Sequence, residues 1–97
     1  SPEQKRRGEE QTMRVVVIYK DYSDHAREVI DYLRDFERQT GKQLEVMDPE
    51  SRTHEGFLQA YDIVEYPTII AISDDGAVLH TWRGRPLPTI NEVSYYA

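Results

Sequence analysis

The side chains with the most chemical reach stand close together, in Tyr22-Ser23-Asp24-His25-Ala26. A serine becomes a nucleophile when a base lies within hydrogen-bond reach and a third group orients that base. His25 stands two residues beyond Ser23 at the start of a helical pattern, and neighbours at that spacing do not share a helix face. The spacing predicts that His25 points away from Ser23 as a solvated helix-start residue. Ser23 is then a helix N-cap that accepts a backbone N–H, and Asp24 is the other candidate for that position. His25, His54 and His80 fall on three separate segments without metal-ligand spacing, and the turn completed by Gly76 accounts for Asp74-Asp75. No metal site and no cofactor are expected. Cysteine is absent, which excludes disulfide exchange, thiolate nucleophiles, cysteine-ligated zinc and iron–sulfur chemistry within this chain.

The 97 residues suffice for one hydrophobic core and leave no room for a second. Residues 1–12 carry no aliphatic or aromatic side chain, and Lys5-Arg6-Arg7 is balanced by Glu3, Glu9 and Glu10. That stretch is expected to be a disordered leader, with one folded domain over residues 13–97. The net charge of −6 then falls wholly on the domain. An acidic domain is a poor match for nucleic acid, because affinity for a phosphate backbone comes mainly from Lys and Arg displacing counterions. No apolar run reaches the length of a membrane span, so no membrane insertion of this segment is expected. No secretory pattern appears either, which makes the cytoplasm the default compartment.

Four apolar runs and three helical patterns must position these side chains. Met13 to Tyr19 is β-branched and apolar without alternation, as suits a central strand covered on both faces. Ala26, Val29, Ile30, Leu33 and Phe36 then repeat at three and four, an amphipathic helix that Gly41 ends. Gln43 to Asp48 predicts a short strand with Leu44 and Val46 on one face. Ser51 and Glu55 open a second helix that buries Phe57, Leu58 and Tyr61. Pro67 cannot donate to a β-ladder and therefore stands at the mouth of the strand Thr68 to Ile72. Asp75-Gly76 turns the chain into an antiparallel strand over 77–83, with Val78, His80 and Trp82 on one side and Leu79 and Thr81 on the other. Thr89 and Glu92 form a capping box for a last helix. The order β-α-β-α-β-β-α requires both a parallel crossover and an antiparallel hairpin. A mixed four-stranded α/β sheet with helices on both faces satisfies both.

In this order of elements the chain resembles the thioredoxin-like family over about residues 13–93. The segment Tyr61-Asp62-Ile63-Val64-Glu65-Tyr66-Pro67-Thr68-Ile69-Ile70 is similar to that family's Tyr-Gly-Ile…Pro-Thr-Leu signature, whose proline is cis. The resemblance implies that the redox motif would lie between the first strand and the first helix. Ser23 and Ala26 stand there in place of the two cysteines, and Val17 replaces the family's buried acid. It also implies that the residue before the proline, here Tyr66, uses its backbone to pair with an extended peptide.

The reading that follows is a redox-inactive module for a protein or peptide partner, not a disulfide oxidoreductase. Its binding rim comprises Tyr22, Ser23, His25, Tyr66 and Pro67, and it has no catalytic residue. Two alternatives remain. One is a glutathione-linked or other enzyme that uses Ser23, whose hydroxyl would hold the glutathione sulfur. The other is a purely structural domain of a larger assembly.

Overall fold

The computed structural model describes residues 13–97; the leader expected over 1–12 lies outside the described residues. The chain runs β1 (Met13–Ile18), α1 (Ala26–Thr40), β2 (Glu45–Met47), a 3-10 turn (Arg52–His54), α2 (Glu55–Ala60), β3 (Thr68–Ser73), β4 (Val78–Arg83) and α3 (Ile90–Ser94). The four strands form one sheet in the order β2-β1-β3-β4. β1 pairs parallel with β2 and antiparallel with β3, and β3 pairs antiparallel with β4.

The unbroken apolar runs of β1 and β3 follow from burial on both faces. Val15, Val17, Ile69 and Ala71 point to one side, where they meet Val29 and Phe36 of α1 and Val93 of α3. Val16, Ile18, Ile70 and Ile72 point to the other and pack with Met47, Leu58 of α2 and Ile63. Alternation is therefore present in the backbone but silent in the sequence, because both faces need hydrocarbon. Phe57 and Tyr61 flank Leu58 as half-buried partners of the second core.

The boundaries depart from expectation in places that have physical causes. α1 does not start on a Ser23 or Asp24 cap: His25 occupies the N-cap position and makes no side-chain cap bond. The Ser23 hydroxyl turns back to donate to the Lys20 carbonyl instead. Ser51 likewise precedes a 3-10 turn without capping it by its side chain. Val46 lies opposite Val17 but is exposed, because β2 is an edge strand, and Met47 is the buried residue there.

In β4 the register slips between Ala71 and Ile72. His80 and Trp82 lie opposite Ala71 and Ile69, while Val78 lies opposite Ile72. Cross-strand partners share a face, so the slip moves Val78 to the α2 side, away from His80 and Trp82. Those two rings stack at 4.3 Å between centroids, and Tyr96 beyond α3 meets Trp82 edge-on at 5.6 Å. α1 ends on Gly41 at φ 76°, and α3 carries its Thr89–Glu92 capping box. None of the helices among the described residues is long and apolar enough to cross a membrane.

The last link that positions the site is Gly84. Its N–H donates to the Pro67 carbonyl at 2.8 Å, tying the exit of β4 to the entrance of β3. Gly84 sits at φ +70°, and a β-carbon there would press against the Glu65 carboxylate. That carboxylate is the free end of a flexible side chain, so the backbone conformation is the greater obstacle. We predict that Gly84→Ala lowers stability by about 1 kcal/mol or more, measured by urea unfolding. Adding Glu65→Ala should recover little of the loss; full recovery would place the strain in the side-chain contact.

Candidate functional site

The topology brings four chain segments to one end of the sheet. β1 and β2 are parallel and both finish there, β3 enters there, and β4 leaves there. Across that end lie, in order, the loop after β2 (48–50), the loop after β1 (19–25), Tyr66-Pro67, and Gly84. Ile18 pairs with Thr68, which sets Tyr19 and Lys20 beside Pro67 and Tyr66. The Tyr66–Pro67 peptide bond is cis, and Pro67 is fully buried.

Lys20 joins the pieces, although its side chain gave no signal of this in the sequence. Its N–H donates to His25 Nε2 at 3.3 Å, and its carbonyl accepts from the Ser23 hydroxyl at 2.6 Å. Its ammonium lies 5.4 Å from the centre of the Tyr66 ring, within cation–π range. Ser23, His25 and Tyr66 are thus gathered around one lysine. Tyr22 leans the other way and donates its hydroxyl to the Glu50 carboxylate on the loop after β2. Its ring is exposed, and that bond to Glu50 is the chief cause that raises its hydroxyl pKa.

His25 does not point away from Ser23, and it is not solvated. Ser23 Oγ lies 2.9 Å from His25 Nε2, and the histidine is buried at 9% relative exposure. Both residues precede the first turn of α1, where the directions of helical side chains do not yet apply. The contact raises the question of a serine–histidine dyad. The Lys20 amide already donates to Nε2, which places the ring proton on Nδ1. The hydroxyl has one proton and lies closer to the Lys20 carbonyl than to the ring. Among the described residues no carboxylate bonds to Nδ1, so the orienting third group of a nucleophilic site is missing. The trio clamps the loop.

Two further features escaped the sequence reading. Val64, two positions before Tyr66, is 78% exposed although it sits in an apolar run beside buried Ile63. Tyr66 is half-buried against the α2-side core. Among the described residues, neither its amide nor its carbonyl takes part in a hydrogen bond. Asp75 of the β-hairpin accepts from the Ser73 hydroxyl and the Ala77 amide, so the turn accounts for it. No group of His, Asp or Glu among the described residues could hold a metal ion.

Neither a protein-family model nor a curated protein sequence matches the chain. Solved structures do. The X-ray structure of Fasciola hepatica thioredoxin matches at a TM-score of 0.69 and 15% identity, covering 89% of this chain and 82% of that one. Oxidised thioredoxin from Plasmodium falciparum matches at 0.66 and 12%, covering 88% and 82%. Thioredoxin 1 from Thermosipho africanus matches at 0.61 and 15%, covering 86% and 92%. At such identities the likeness is one of fold.

Burial is the main cause that lowers the His25 pKa below its ordinary value, and Arg85 and Lys20 act in the same direction against Asp24 and Glu28. A depressed pKa means the folded state resists protonation, so the chain is most stable above the ordinary value near 6.5 and loses stability as pH falls below it. Urea unfolding at about pH 7.5 and about pH 5 should show a larger acid loss in the native chain than in His25→Gln. Equal losses would mean that His25 is not held neutral by the fold.

Proposed function

We propose that this chain, a thioredoxin-like fold with no cysteine, is a redox-inactive module that binds an extended protein or peptide segment at the sheet end around Tyr22, Tyr66 and Pro67. The observation that carries the reading is that the main chain of Tyr66 makes no hydrogen bond among the described residues. Backbone amides and carbonyls are obligatory hydrogen-bonding groups, and one donor and one acceptor side by side at a strand entrance suit strand addition. Pro67 has no N–H to offer, and Gly84 already occupies its carbonyl. Pairing therefore falls to Tyr66. The rings of Tyr22 and Tyr66 and the exposed Val64 supply apolar contact area beside it, of a kind enriched in interface cores.

Ser23 and His25 belong to this rim as its support. Their bonds to the Lys20 main chain fix the loop that carries Tyr22 and that holds the Lys20 ammonium over Tyr66. Titration of the labelled chain with short extended apolar peptides should move the amide signals of Lys20, Tyr22, Tyr66 and Thr68. Tyr66→Ala should weaken binding about tenfold or more, as removal of an aromatic anchor does. Shifts confined to other surfaces would end this reading.

The Ser23–His25 contact favours a second reading, a glutathione-linked site in which Ser23 holds the thiol sulfur. The hydroxyl would first have to leave the Lys20 carbonyl. Glutathione at millimolar concentration should leave the Ser23, His25 and Lys20 signals unmoved, and saturable shifts there would reverse the preference.

A further inference from the structure

We propose that the segment received at this rim is basic as well as apolar, with a Lys or Arg seated at the Tyr22 end and an apolar side chain on Tyr66 and Val64. The inference rests on the binding reading above and adds the chemistry of the partner. The charge along the sheet end is uneven. Glu50 accepts from the Tyr22 hydroxyl, the Asp48 carboxylate accepts from the Glu50 amide, and Asp21 adjoins Tyr22 in the chain, so three carboxylates share this end of the rim. All three are exposed. The ion pairs among the described residues involve other acids: Glu45, Asp31, Asp35 and Glu28 take the nearby arginines. Toward β4 the charges are mixed: Lys20 lies over Tyr66, the Glu65 carboxylate lies beside Gly84, and Arg85 is paired with Glu28.

A peptide laid across the rim therefore meets a cluster of carboxylates at the Tyr22 end and mixed charge at the other. Its long cationic side chain can reach the Glu50 and Asp21 carboxylates while its stem lies along the exposed Tyr22 ring, an arrangement that suits Lys and Arg. An acidic side chain at the same place would meet three like charges. Such opposition discriminates between partners more than it adds raw affinity. The whole-domain charge of −6 works in the same direction at longer range.

The test uses three extended peptides that share one apolar sequence and differ at one position, which holds Lys, Gln or Glu. Binding to the full chain is followed by the rim amide signals. The Lys peptide should bind tightest and the Glu peptide weakest, and the spread should shrink as salt rises from about 0.05 to about 0.5 M. Asp21→Asn with Glu50→Gln should cost the Lys peptide about three- to tenfold in affinity. It should leave the Gln peptide unchanged, which also shows that the variant is folded. Asp48 is kept, because its carboxylate accepts from the Glu50 amide at 2.9 Å and shapes that loop. Equal affinities for all three peptides at the rim would overturn the charge preference while leaving the binding reading intact. Tightest binding by the Glu peptide would overturn it too. No shift at the rim with any peptide would remove both.

Discussion

Where the β-ladder stops sets the shape of the sheet end that carries the proposed site. Pro67 enters the sheet without an N–H, and its carbonyl is taken by the Gly84 amide. One residue later, Thr68 pairs on both sides, with Ile18 and with Arg83. β3 is therefore paired on both sides from Thr68 onward, and Tyr66 stands just outside it with no main-chain hydrogen bond among the described residues. Backbone polar groups need partners, and none among the described residues bonds the main chain of half-buried Tyr66. The left-handed Gly84 makes the close approach possible, and Pro67 fixes where it happens.

Around that point the rest of the rim is held by main-chain contacts. The Lys20 amide and carbonyl hold His25 and Ser23, and its side chain covers Tyr66. In a thiol-dependent protein of this fold the same loop would carry reactive sulfur. Here it carries a hydroxyl bonded to a carbonyl and a ring bonded to an amide. Neither is poised for attack on a substrate. Beside them lie the exposed Tyr22 ring and Val64.

Much of the fold could be read from residue types because two strong constraints coincide. β1 and, beyond Thr68, β3 are apolar at every buried position, as a strand covered on both faces demands, and Pro67, Asp75-Gly76 and Gly41 punctuate the chain where their backbone limits require. The failures share another cause. Ser23, His25 and Lys20 are joined through main-chain atoms, which every residue possesses, so no side-chain pattern announces the clamp. The slip in β4 comes from a backbone irregularity at Leu79, invisible in an otherwise plausible alternation. Val64 is exposed beside buried Ile63, and nothing in the two residue types tells them apart.

Amide hydrogen exchange at Tyr66 tests the central claim most directly. The free chain should exchange that amide rapidly while Thr68 to Ile72 in the ladder stay protected, and a bound extended peptide should slow Tyr66 selectively. A Tyr66 amide already protected in the free chain, or one that peptide leaves unchanged, would contradict the account.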